Sequence, residues 1–224
     1  MAQFVAVGIY SYVLGAFMNP MLEELSWARS DFSLTRSISQ IVMAFVGILI
    51  GAKVDQIGAR PIMLVGTTIL VVSLCAHTFV TSLWMWLALN GIVVTIGCAM
   101  VGNLVVNATL SKWFFEKRGR AVAIAAMGVS FGGIAITPPI TYLIDLLGWR
   151  LSWVLLGLSA GILLYPVAMM MRKAPEDFGL LPDGKKPNSE GSGSVDAAQS
   201  EFLNSYSRSE AIRTFSFYGL VSAF

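Results

Sequence analysis

Residues 51–61, Gly-Ala-Lys-Val-Asp-Gln-Ile-Gly-Ala-Arg-Pro, constrain this chain more than any other segment. They form a short charged stretch between two apolar runs. Ile-Val-Met-Ala-Phe-Val-Gly-Ile-Leu-Ile precedes it at 41–50, and Ile-Met-Leu-Val-Gly-Thr-Thr-Ile-Leu-Val-Val follows at 62–72. Charges confined to a tight turn between apolar segments predict two membrane-spanning helices joined on an aqueous side.

The rest of the chain fits that class. Hydrophobic residues make up 56% and charged residues 12%, and the charges cluster, leaving long apolar runs between them. A soluble domain carries about 25% charged residues. A span needs roughly 20 residues, because a helix rises about 1.5 Å per residue through about 30 Å of hydrocarbon. The two cysteines, Cys75 and Cys98, lie inside apolar runs and read as buried thiols, not as a disulfide or metal site.

Six spans are predicted, at 2–22, 37–54, 61–80, 83–107, 121–145 and 151–171, so that residues 1–171 form one six-helix bundle. A polar segment, Glu23 to Thr35, separates the first two. Residues 172–210 are rich in Ser, Gly, Pro, Asp, Glu and Lys and read as a hydrated linker. Residues 211–224 turn apolar again but are too short to span, and read as the beginning of a seventh helix.

Lys and Arg set the orientation. The loops at 51–61, 111–120 and 172–213 carry twelve of them, whereas the opposite loops carry three, Arg29, Arg36 and Arg150. The amino terminus and the 172–210 linker are therefore expected in the cytoplasm of a multi-pass protein of the plasma membrane. A net charge of +2 is the sum of this asymmetry and gives no nucleic-acid face. In Lys112-Trp-Phe-Phe-Glu-Lys-Arg-Gly-Arg120 the aromatics suit the membrane interface and the charges suit lipid phosphates.

The spacing G-x-x-x-D-x-x-G-x-R at 51–60 resembles the loop between helices two and three of major facilitator superfamily transporters. Four further segments, in order, are similar to its monocarboxylate-transporter-like and oxalate/formate antiporter-like branch: 20–29 (Pro-Met-Leu-Glu-Glu-Leu-Ser-Trp-Ala-Arg), 113–121 (Trp-Phe-Phe-Glu-Lys-Arg-Gly-Arg-Ala), 148–150 (Gly-Trp-Arg) and 175–184 (Pro-Glu-Asp-Phe-Gly-Leu-Leu-Pro-Asp-Gly). The resemblance implies the amino-terminal half of a twelve-helix fold, with helices 1–3 and 4–6 as inverted repeats and a carboxy-terminal half as its missing partner. It departs from the pattern at Gln56, where a basic residue usually follows the Asp. The fourth span has no acidic or basic side chain and the first has no Lys, so proton coupling and lactate specificity do not carry over.

Two sets of candidate residues follow. Gly51 and Gly58 allow close helix approach and a positive backbone angle. Arg60 and Lys53 are near enough to Asp55 to pair with it or with helix termini. Gly51, Asp55, Gly58 and Arg60 are either a solvated turn with topogenic charges or, as the resemblance implies, a conformational latch. Polar side chains inside spans are costly unless they face protein or water. Those of the first span are Tyr10, Ser11, Tyr12 and Asn19; those of the fourth are Asn90, Asn103 and Asn107. They either line a solute path or hydrogen-bond between helices. His77, the one histidine, has no partner for metal or triad chemistry and reads as a packing or interfacial residue. In the fifth span Gly128 and Gly132 permit close packing, and Pro138 and Pro139 weaken the helix.

No phosphate loop or metal-ligand cluster is present, so an intramembrane enzyme is the least favoured reading, and no metal or cofactor is expected. The leading expectation is half of a secondary transporter for a small anionic organic solute, working by alternating access with a coupling ion. The alternative is a membrane scaffold or assembly partner without transport of its own. A single bundle has no second bundle to rock against, so this chain alone is expected not to translocate unless it pairs with another copy.

Overall fold

The computed structural model describes residues 1–172. They form α1 (Ala2–Leu25), α2 (Arg29–Ile57), α3 (Ala59–Ala76), α4 (Leu83–Trp113) and a helical run over Arg118–Met170. As one rod the 53 residues of that run would reach about 80 Å, far beyond a bilayer core. Gly148 interrupts it at φ 78° and ψ 162°. A side chain there would be strained, because positive φ crowds a Cβ. The run is therefore two spans, α5 (118–147) and α6 (149–170), and the expected six-helix bundle is present. The expected linker and the start of a seventh helix, 172–210 and 211–224, lie outside the described residues apart from Arg172.

The helices extend further into polar sequence than the apolar runs indicate. α2 begins at Arg29 and not at 37, and α4 continues through Trp113 and not 107. Local hydrogen bonding is the reason. The Asp31 side chain accepts the backbone N–H of Ala28 at 3.0 Å and caps α2. The hydroxyls of Thr35 and Ser39 then donate to carbonyls four residues earlier, at 2.7 and 3.0 Å. Such bonds satisfy the polar side chains within the helix itself. Segment 51–57 is likewise helix, and the connection to α3 is one residue, Gly58 at φ 85°. Pro61 falls in the first turn of α3, where its missing N–H has no intrahelical acceptor to lose.

Small residues set the packing. A Cβ on Gly132 of α5 would lie 2.6 Å from the Phe4 carbonyl oxygen of α1. One on Gly97 of α4 would lie 3.0 Å from the Leu70 backbone nitrogen of α3. Gly157 and Gly161 admit Leu74 and Val71 of α3 against α6, and Gly91 of α4 admits Ile38 of α2. α1 meets α6 through the Phe17–Trp153 stack, with ring centroids 3.9 Å apart. These pairings map onto one another when α1–α3 are exchanged with α4–α6, which is the pattern an inverted repeat requires.

The outer faces are apolar. Phe45, Phe131 and Ile162 are 68%, 64% and 74% exposed. Large apolar faces of this kind suit hydrocarbon as their solvent.

Candidate functional site

α1 and α4 both depart from regular helix geometry where their polar residues fall. α1 widens into a π-helical stretch over Ile9–Val13, which contains Tyr10, Ser11 and Tyr12. α4 does so over Leu87–Val94, which contains Asn90. It breaks again at Gly102, at φ −81° and ψ −152°, immediately before Asn103. Such departures free backbone groups from the regular ladder and occur often at functional sites.

At the first widening, Arg36 of α2 donates from Nη1 to the Tyr10 carbonyl at 2.8 Å, and its guanidinium lies 4.1 Å from the Tyr10 ring centroid. Ile9, Tyr10, Leu14, Arg36, Ser39, Asn90, Val94 and Trp153 enclose a small cavity between α1, α2, α4 and α6. Behind it sits His77, fully buried against Trp86 and Trp153, with ring centroids 5.3 and 4.6 Å away. Its Nδ1 lies 2.6 Å from the Ser73 carbonyl, which can only accept, so that nitrogen carries the proton. Nε2 is then the acceptor for the Asn90 amide at 3.4 Å. The Trp86 indole donates to Thr35 Oγ1 at 3.0 Å. His77 thus has the packing role that its isolation in the sequence indicates.

The candidate path residues occupy three levels. Tyr10 joins Arg36 and Asn90. Ser11 and Tyr12 are exposed on the π stretch, with the Tyr12 ring against Gly133 of α5. Asn103 is exposed, whereas Asn107 accepts from Gln3 Nε2 at 3.0 Å, an α1–α4 hydrogen bond. Asn19 lies toward the other end of α1, in an open recess with Glu23, Glu24 and Asp145. There the Glu24 carboxylate accepts from both the Trp149 indole and Arg150, and Thr78 donates to the Arg150 carbonyl at 3.2 Å. Helices α1 and α6 and the short turn that follows α3, His77–Phe79, are joined at that end.

Sequence reasoning missed Arg36, placed in a loop, and Gln3, passed over at a terminus. The spacing of Phe32, Thr35 and Ser39, all buried on one face of α2, is the signal that would have put Arg36 inside a helix.

A Cβ on Gly51 would meet nothing within 4 Å, so it serves no close helix approach. Asp55 pairs with Lys112 at the end of α4, at 2.8 Å, and not with Lys53 or Arg60. Lys53 is two residues from Asp55 on the same helix and projects from another side. Gly58 does take the positive φ expected of it, and Arg60 is exposed. Cys75 and Cys98 are free thiols, Cys98 buried.

A six-helix apolar bundle in which two helices are irregular where their polar side chains fall is the architecture of one half of a membrane transporter. The chain belongs to the Major Facilitator Superfamily, whose family profile matches residues 1–224. It is an integral, multi-pass membrane protein of a transporter family. It is 25% identical over 159 residues to the uncharacterized MFS-type transporter YcxA of Bacillus subtilis, covering 71% of this chain and 39% of that one. It is 28% identical over 163 residues to monocarboxylate transporter 11 of Mus musculus, covering 70% and 36%. It is 28% identical over 138 residues to the fujikurins efflux protein of Gibberella fujikuroi, covering 59% and 30%. The matched region thus spans less than half the length of each relative.

Proposed function

We propose that this bundle forms one wall of a secondary active transporter that moves a small anionic organic solute by alternating access. The observation that carries the reading is the coincidence of irregular backbone and polar side chains on α1 and α4. Within a membrane, irregular backbone is tolerated where it is enclosed by protein or lines a cavity, and transporters build their sites there. Tyr10, Ser11, Tyr12 and Asn103 form this wall, and a second six-helix bundle supplies the opposite one. Asn19 lies at the mouth of the path, and Asn107 braces α4 against α1 through Gln3. Arg36 gives the path a positive potential, which supports an anionic solute. So does the similarity to proteins named monocarboxylate transporters. The end that carries Lys53, Arg60, Lys112 and Lys117 faces the cytoplasm of the plasma membrane. There Asp55, Gly58 and Arg60 act as a latch between bundles.

The test is uptake of labelled small carboxylates into vesicles that contain the protein with its complementary bundle. The reading expects saturable uptake that falls at least about tenfold in Tyr10→Ala and Asn103→Ala, because each removes a contact to the solute. Uptake unchanged in both variants would overturn it.

A further inference from the structure

Arg36 is a cation within a membrane-spanning helix, and no carboxylate among the described residues pairs with it. The ion pairs Lys112–Asp55 and Arg150–Glu24 both lie at the ends of the bundle. Its contacts are a carbonyl dipole and an aromatic face, both from Tyr10. Arg36 is half-buried, and a charge within a membrane-spanning helix that meets no carboxylate is under-compensated.

The cavity beside it is rich in donors. Trp153 lines it and is 2% exposed, and its indole N–H, which can only donate, is buried without a partner. The Tyr10 hydroxyl, also buried, has none either. The Asn90 amide nitrogen has a second N–H beyond the one shared with His77. No acidic side chain lines the space. Its volume, about 10 Å³, is at the threshold for one water-sized guest.

We propose that Tyr10, Arg36, Asn90 and Trp153 form a binding site for one small monovalent anion. A halide is slightly larger than the water-sized space and needs a small outward shift of the lining side chains. The carboxylate head of a solute has the same chemistry and needs the guanidinium to swing off the Tyr10 carbonyl. Bound there, the anion neutralises Arg36 and takes the idle indole and phenol donors. Charge and unpaired donors are satisfied together, which a water would accomplish only for the donors. The carboxylate case rests on the transport reading above. The halide case does not, because the site lies within the six-helix bundle and is read out by binding alone.

The experiment is an anion titration of the purified full chain in detergent. Gluconate is exchanged for chloride at constant ionic strength, and thermal melting and tryptophan emission are followed. A saturable response is expected, with Tm rising by about 3–6 °C at ten times the dissociation constant. Arg36→Gln should abolish it and Arg36→Lys should retain it. Trp153→Phe keeps the ring that stacks on Phe17 but removes the N–H, and should weaken binding about tenfold or more. Sodium acetate forms the second arm. Acetate that competes with chloride assigns the site to the carboxylate head of a solute; acetate without effect beside saturable chloride assigns it to a resident inorganic anion. Identical curves in chloride, acetate and gluconate would overturn the site, as would undiminished chloride affinity in Trp153→Phe.

Discussion

The carboxylate of Asp55, near the end of α2, lies 2.8 Å from the ammonium of Lys112 near the end of α4. The pair joins two helices of one bundle. Asp55 remains 69% exposed, which leaves it free to meet a second partner across the basic end.

Exposed ion pairs contribute about 0–1 kcal/mol, so Asp55→Asn should change Tm little and leave membrane insertion intact. If the cluster is a latch between bundles, transport by the protein with its complementary bundle should nonetheless fall several-fold. Uptake in vesicles checks this. A full rate in the variant would reduce Asp55 to a topogenic charge.

Two glycines of the same chain should respond oppositely to the same substitution. Gly132→Ala places a methyl 2.6 Å from a backbone oxygen and should destabilise by about 1–3 kcal/mol, because backbone and not a flexible side chain must move. Gly51→Ala has open space around it and should be neutral or slightly stabilising in its helix. Thermal melting of the two variants side by side decides this. Equal losses would contradict the packing described for α1 on α5.

Gln3 and Asn107 should be coupled. Interhelical side-chain hydrogen bonds within membranes average about 0.6 kcal/mol, so a double-mutant cycle of Gln3→Ala and Asn107→Ala should return a coupling of that order. Asn103→Ala, by contrast, should alter solute uptake with little effect on stability. A coupling near zero would place the Gln3–Asn107 contact among incidental ones.

Glu24→Gln should loosen the end of the bundle where α1, α6 and the short turn after α3 meet. It removes the charge that Arg150 and the Trp149 indole share, at a cost of about 1–2 kcal/mol. Glu24→Asp should recover part of the loss. The check is the melting temperature, with Trp149 emission as a local reporter.

The number of spans was legible because each apolar run approaches or exceeds the membrane thickness and is bounded by charged or polar residues or Gly. Gly58 and Gly148 were readable as breaks for the same reason, and both adopt positive φ. The site was less legible. Tyr10 was recognised as a polar residue in an apolar helix, but its partner Arg36 was placed in the polar loop between spans. The Thr and Ser side chains around it look hydrophilic in sequence, yet they bond to carbonyls of their own helix and let α2 begin a full two turns earlier. Asp55 illustrates a second cause: its neighbours in sequence are basic, but its partner is 57 residues away.

The sequence by itself determined the membrane class, the six spans, the family and the basic end. These depend on summed hydrophobicity, charge and short motifs, which are properties of contiguous segments. Only the tertiary structure decided which polar residues meet. It placed Arg36 on the widened turn of α1, turned the lone histidine into a packed donor–acceptor link between Ser73 and Asn90, and left the indole of Trp153 unpaired beside an unpaired cation. Those relationships depend on helix rotation and on where small residues let backbones approach. Both are set by contacts between segments far apart in the chain, so no local pattern encodes them.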